Sequence, residues 1–152
     1  MNDNLKIKGH AVFTLLRADG SIKEIKSYDN LVATVGRAAI ADHLTAGSPS
    51  PTALRVDYVA LGSGINAPAN GDTTLQTEVF RKATASANNV DNVATITGYF
   101  FATDTNGTYK EAGLFMSATS TPGSGTLLSR VAIDITKSNV ETMIVEWTVT
   151  IS

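Results

Sequence analysis

Three glutamates lie in or beside apolar segments, where a carboxyl group could take part in acid–base chemistry: Glu78, Glu111 and Glu146. Burial raises the pKa of a carboxyl group, and two carboxyl groups with different pKa values can act as general acid and general base. Glu146, however, precedes Trp147 on an alternating segment, so it should face solvent or a neighbouring subunit. Glu78 and Arg81 are three residues apart, which puts them on opposite faces of a regular strand, so they are not assumed to pair. Structural ion pairs with lysine or arginine explain these glutamates better than catalysis does, and we expect no enzyme.

Two further patterns could hold an ion. His10 and His43 lie far apart in the sequence without flanking ligand residues, so both are expected at the surface. The segment Gly62-Ser63-Gly64 follows a predicted strand, but it lacks the third glycine and the helix of a phosphate-binding loop, and we expect a simple glycine turn. The absence of cysteine excludes disulfides and thiolate metal sites. We therefore predict no metal and no other cofactor.

The charges of the chain are nearly balanced, with 12 Lys and Arg against 14 Asp and Glu and a net charge of −2. Such a chain does not attract nucleic-acid phosphates or anionic lipids over long range. The N-terminus lacks the features of a signal peptide, and no apolar run approaches the roughly 20 residues that span a bilayer. We therefore expect no nucleic-acid or membrane partner, and assembly in a cytoplasm.

Alternation of apolar and polar residues is the main structural signal. It is clearest at the C-terminus, where Met143, Val145, Trp147, Val149 and Ile151 share one parity and predict a strand with one buried face, with Trp147 in the core. Comparable signals predict about eight strands, near residues 5–15, 22–28, 55–61, 77–86, 93–104, 109–116, 127–136 and 142–151. The expected fold is mainly β: one antiparallel β-sandwich domain spanning residues 1–152, with one short α-helix near residues 34–44.

Turn signals between these segments predict two hairpins and a free end. Asn106-Gly107 suits a tight turn that would pair the strand before it with the strand after it. Lys137-Ser138-Asn139 is predicted to join the last two strands as an antiparallel hairpin.

Gly47 is expected to end the helix. Residues 1–4 are expected to form a flexible N-terminal arm.

Six short motifs occur in a fixed order along residues 30–152. They are Asn30-Leu31-Val32-Ala33-Thr34-Val35-Gly36-Arg37-Ala38-Ala39-Ile40-Ala41, Tyr58-Val59-Ala60-Leu61-Gly62-Ser63-Gly64, Thr73-Thr74-Leu75-Gln76-Thr77-Glu78-Val79-Phe80-Arg81, Lys110-Glu111-Ala112-Gly113-Leu114-Phe115, Leu127-Leu128-Ser129-Arg130-Val131 and Val145-Glu146-Trp147-Thr148-Val149. This order resembles the N-terminal domains of tail-collar fibre proteins and related small virion proteins of tailed bacteriophages.

The resemblance implies a non-enzymatic virion structural protein of the tail or fibre-attachment region (collar or baseplate), made and assembled in the cytoplasm of a host bacterium. A capsid decoration protein bound to the major capsid protein is the alternative. A carbohydrate-binding module for host recognition is a third hypothesis, although the predicted loops 47–54, 62–72 and 119–126 contain no aromatic platform residue.

Some strands carry apolar residues on both parities, although one buried sheet face needs only one apolar parity. The expected interface residues are Tyr99, Phe100, Phe101, Leu128 and Ile144. Exposed apolar patches usually mark interaction sites, so we predict a homo-oligomer, and the resemblance implies a trimer.

Overall fold

The computed structural model describes residues 4–45 and 54–152. These residues form nine strands and one helix. In chain order they are β1 (Ile7–Leu16), β2 (Ile22–Val32), α1 (Thr34–Thr45), β3 (Val56–Gly62), β4 (Glu78–Ala83), β5 (Ser86–Val90), β6 (Val93–Phe100), β7 (Gly107–Met116), β8 (Thr126–Lys137) and β9 (Thr142–Ile151). The predicted mainly-β fold with one short helix is confirmed. No helix among the described residues has the length and apolarity needed to cross a membrane.

All nine strands belong to one antiparallel sheet in the order β4-β3-β7-β8-β2-β1-β9-β6-β5. The sheet curls, so that β3 and β4 on one side approach β6 on the other and the two halves enclose a common core. Trp147 lies in this core without exposed surface, as predicted, and its indole N–H donates to Asn30 Oδ1 at 3.0 Å.

The two halves differ on their outer faces. The covered half-sheet, β4-β3-β7-β8, carries a second apolar cluster on its outer side, formed by Ala33, Ala60, Leu75, Phe115 and Leu127. Loop 63–77, helix α1 and loop 117–125 supply its cover. The open half-sheet, β2-β1-β9-β6-β5, has no such second cluster among the described residues.

Helix α1 confirms the prediction for residues 34–44 and extends to Thr45. It packs closely against β8 at Gly36, where an added Cβ would lie 2.8 Å from the Leu128 backbone. Gly47 lies outside the described residues, as do residues 1–3 of the predicted N-terminal arm; Asn4 is exposed.

Both predicted hairpins are wrong. Strand β6 pairs with β9 and β5, and β7 pairs with β3 and β8, so the connection through Asn106-Gly107 crosses from one half-sheet to the other. Likewise, β8 pairs with β7 and β2 while β9 pairs with β1 and β6, so residues 138–141 form a second crossover. Alternation shows that two strands each bury one face, but it does not show whether they do so from the same layer.

The strand count also differs from the expected eight. The segment Ser86–Val90, which lies almost entirely beyond the strand expected near residues 77–86, forms the edge strand β5, paired with β6. The turn is confined to Asp91 and Asn92, and Asp91 adopts a φ of 49°. The short edge strand β5 can contain asparagine because all of its residues are exposed, so the strand does not need an apolar face.

Candidate functional site

Glu111 occupies the outer face of β7, where its residue surface is 1% exposed. Its Oε1 accepts hydrogen bonds from the backbone N–H groups of Gly64 at 3.0 Å and Thr77 at 2.7 Å. Its Oε2 accepts from Gln76 N–H at 2.9 Å and from Arg130 Nε at 2.9 Å. One carboxylate thus holds both ends of loop 63–77 against the sheet.

The two glycines of Gly62-Ser63-Gly64 make room for this carboxylate. A Cβ added at either Gly62 or Gly64 would lie 2.5 Å from Glu111 Oε1. The glycine turn therefore does bind a carboxylate, and that carboxylate is the Glu111 side chain of the same molecule.

Arg130, on the outer face of β8, completes the arrangement. Its side chain is 3% exposed; Nη2 lies 2.7 Å from Glu111 Oε2, and Nη1 donates to Asp72 Oδ2 at 2.6 Å. Nη2 also donates to the carbonyl oxygen of Asn66 at 3.0 Å. Burial alone would raise the pKa of Asp72, but hydrogen bonds from the Ala69 N–H and from Arg130 lower that pKa below its usual value.

A second buried pair secures the neighbouring loop. Arg81 Nε donates to Glu78 Oε1 at 2.5 Å, and both side chains are less than a tenth exposed. Arg81 Nη1 donates to the carbonyl oxygens of Thr119 and Ser124, while Glu78 Oε2 accepts from Gly123 N–H. The Arg81 guanidinium carbon lies 4.5 Å from the centre of the Phe115 ring. This pair fixes loop 117–125 as Glu111 fixes loop 63–77.

The pairing of Glu78 with Arg81 differs from the expectation for a regular strand. The register between β3 and β4 shifts at this point: Leu61 pairs with Phe80, but Gly62 pairs with Glu78, which leaves Val79 as an extra residue. A β-bulge of this kind reverses the alternation of side chains beyond it. Glu78 and Arg81 consequently share one face.

A buried lysine, separate from the two ion pairs, contacts both crossovers. Lys137 at the end of β8 is 1% exposed, and its Nζ donates to Thr105 O at 3.0 Å, Asn106 Oδ1 at 3.2 Å and Ser138 O at 3.4 Å. Burial lowers the pKa of Lys137, and the opposing effect of the Asp104 and Glu141 carboxylates does not cancel this lowering. The sequence placed this lysine in a polar connection and did not indicate that it is buried.

The five predicted interface residues are divided between the core and the surface. Phe100 and Leu128 are buried in the chain's own core, at 0% and 5% exposure, because their parity faces the inside of the curled sheet. The outer face of the open half-sheet carries Tyr99 and Ile144, with Phe101 just beyond the end of β6. The expectation of an exposed position is therefore wrong for Phe100 and Leu128.

The remaining candidates do not converge on a reactive centre. His10 lies at the surface, where Nδ1 is 2.8 Å from Asp29 Oδ1, and His43 is exposed on α1. Glu146 is exposed, as expected from its parity. Within the described ranges, no three His, Cys, Asp or Glu side chains are grouped as metal ligands.

Five of the six sequence motifs meet in the covered half-sheet. They contribute Ala33, Gly62 and Gly64, Leu75 and Glu78 with Arg81, Glu111 with Gly113 and Phe115, and Arg130. A signal for this arrangement exists in the sequence: β7 and β8 are apolar on both parities near Glu111 and Arg130, so a charge there must be buried and requires a partner.

We call Glu111, Arg130, Asp72, Glu78 and Arg81 the carboxylate–arginine framework. Each oxygen of Glu111 already accepts at least two hydrogen bonds, so no acceptor site is left to take a proton from a substrate. The framework is therefore suited to holding loops in place.

Comparison with protein-family models, curated proteins and solved structures gives no significant match to this chain.

Proposed function

We propose that this chain is a non-enzymatic structural protein of a bacteriophage virion, situated in the tail or the region where fibres attach. The observation that carries the proposal is the carboxylate–arginine framework. The motif residues that resemble those of tail-collar fibre proteins are used there to fix two loops on a sheet, which is a structural use.

The charges of this framework support an assembly role over a catalytic one. A general acid or base needs a free acceptor or donor within reach of a substrate. Glu111 and Glu78 are instead buried against arginine and backbone N–H groups. Loops held in this way present a constant surface, which suits a subunit that must fit its neighbours in a particle.

The test is the composition of purified phage particles from the genome that encodes this chain. Mass spectrometry of particles should detect the chain in several copies per particle, and immunogold labelling should place it at the tail. Labelling over the capsid would support the decoration role in place of the tail role. Particles that contain no copy of the chain would contradict the proposal altogether.

A further inference from the structure

The outer face of the open half-sheet carries a cross-strand row over four strands that is apolar except at β1. The register pairs Tyr99 of β6 with Ile144 of β9, Ile144 with Thr14 of β1, and Thr14 with Ile25 of β2. Directly paired residues in antiparallel strands lie about 5 Å apart, so these side chains form one cross-strand row. Ile25 is 57% exposed.

A second row, apolar except for Thr142, lies beside the first, toward the end of the sheet. Leu16 pairs with both Thr142 and Ile22, and Phe101 follows β6 at the same level. Ile22 and Phe101 are 56% and 52% exposed. The Phe101 and Tyr99 rings join the two rows, with centroids 4.9 Å apart.

The middle of this face is mostly polar. The next row contains Thr97, Glu146 and Ser27, with Val12 as its one apolar member. Beyond it, Thr95, Thr148, His10 and Asp29 form a row without an apolar side chain. Six apolar residues therefore cluster at one end of the face, and we call them the apolar end: Leu16, Ile22, Ile25, Tyr99, Phe101 and Ile144. At the opposite end, Val93 of β6 pairs with the exposed Val90 of β5.

We propose that the apolar end is the surface on which a second copy of this chain docks, sheet face against sheet face. The inference rests on the proposed assembly function and gives it a surface. Partly exposed apolar rows on a sheet are unfavourable in water unless another surface covers them. The covered half-sheet obtains its cover from its own loops, and the described residues provide none for the apolar end.

Charge favours a second copy as the occupant. The apolar end contains no charged side chain, so two copies meet there without repulsion. At its rim, Lys82 Nζ lies 3.9 Å from the centre of the Phe101 ring and forms an ion pair with Asp104, so these two charges neutralise each other. Arg17 also borders the apolar end, where its Nη1 donates to the carbonyl oxygen of Ile22 at 2.8 Å.

Shape and area also fit a second copy. Sheets that pack face to face need compatible twist, and an identical face supplies it. Four strands about 4.8 Å apart, with residues rising about 3.4 Å each, give this face a flat area on the order of 600 Å². A standard interface buries about 800 Å² of accessible surface per partner, and accessible surface exceeds flat area because side chains are uneven. The apolar end would form the interface core and the polar rows its rim.

The test compares two double variants of the full chain that add the same charge to the same strands. Ile25→Asp with Tyr99→Asp alters the apolar end, and Ser27→Asp with Thr95→Asp alters the polar rows of the same face. Light scattering behind size exclusion, at micromolar concentration, should give the parent and the polar-row variant a multiple of the 15.9 kDa chain mass. The apolar-end variant should give 15.9 kDa. Circular dichroism checks that each variant is folded.

A milder variant covers the case in which the first does not fold. Ile25→Thr with Ile144→Thr keeps β-branched side chains and should weaken self-association about tenfold or more, since interface-core residues dominate binding. A monomeric parent, or an oligomer unchanged by every apolar-end variant, would overturn the inference. Either result leaves the particle-composition test of the proposed function untouched, and absence from particles would leave the self-association result standing.

Discussion

The two halves of the curled sheet share one core but differ in how their outer faces are treated. In the covered half-sheet, every residue of β7 from Glu111 to Met116 is buried, because α1 and two pinned loops lie over the strand. In the open half-sheet, β9 alternates between buried and exposed or half-buried residues over Met143–Thr150. The difference teaches that buried ion pairs secure the loops over strands that are apolar on both faces, whereas the outer face of the open half-sheet keeps exposed apolar residues without such a cover among the described residues.

The largest effect is expected from Glu111→Ala in the covered half-sheet. The substitution leaves the Arg130 guanidinium buried beside one remaining carboxylate and frees three backbone N–H groups of loop 63–77. Breaking a buried pair in this way should lower the free energy of unfolding by about 5 kcal/mol. Urea unfolding followed by Trp147 fluorescence measures it.

The matched control is an exposed ion pair on the neighbouring strands. Asp134 pairs with Lys110 at 2.6 Å, and its side chain is 69% exposed. Asp134→Ala should change the free energy of unfolding by less than about 1 kcal/mol. Equal losses for the two variants would show that the framework does not hold the loop.

The next effect compares the two faces of one strand in the open half-sheet. Trp147→Ala should lower the free energy of unfolding by about 3 to 5 kcal/mol, because the indole fills the core and donates a hydrogen bond to Asn30 Oδ1. Its exposed neighbour gives the control: Glu146→Ala should stay within about 0.5 kcal/mol of the parent. Circular dichroism is the measurement, since Trp147 is the only tryptophan. A tolerated Trp147→Ala would contradict the core assignment.

Two glycines of loop 63–77, Gly64 and Gly71, test whether this loop packs closely against Glu111. A Cβ at Gly64 would lie 2.5 Å from both Glu111 Oε1 and Gln76 Cβ, whereas a Cβ at Gly71 would meet nothing within 4 Å. Gly64→Ala should therefore lower the free energy of unfolding by about 1 to 3 kcal/mol. Gly71→Ala should leave it unchanged or slightly raised. If thermal unfolding finds both variants equally stable, the close approach at Gly64 is wrong.

The smallest effect concerns pH and Asp72. Its pKa is lower in the folded chain than in the unfolded chain, so the ionised carboxylate stabilises the fold at neutral pH. That contribution is lost as pH falls below about 4, where free aspartates become protonated. Asp72→Asn should therefore be less stable than the parent at pH 7, and the gap between the two should narrow in acid. A gap that is constant with pH would contradict the role of the charge.

The strand faces could be predicted from the sequence, and the connections between strands could not. Alternation placed Trp147 inside and Glu146 outside correctly, since parity along one strand is a local property. The crossovers at Asn106-Gly107 and at residues 138–141 depend on which layer a strand joins, and this is decided by packing between distant segments. The bulge at Val79 could not be predicted from the sequence either. It puts Glu78 and Arg81 on the same face, whereas a regular strand would put them on opposite faces.

The framework was only partly visible in the sequence. Glu111 was identified as a glutamate in an apolar strand, and an ion pair was expected for it. Its backbone donors from Gly64, Gln76 and Thr77 could not be foreseen, because the sequence does not say that loop 63–77 folds back over β7. Lys137 was missed because its partners are backbone and amide oxygens, which have no charge signature.

The position of β9 in the interior of the sheet bears on how the chain is made. Strand β9 lies between β1 and β6, and it is the last of the nine strands to leave the ribosome. Until then β1 and β6 each have an unpaired edge, and the core lacks Trp147, its largest side chain. Unpaired edges and exposed apolar surface favour aggregation of incomplete chains. These nine strands are therefore most prone to aggregate before β9 has emerged, and the sheet can close only after translation has passed β9.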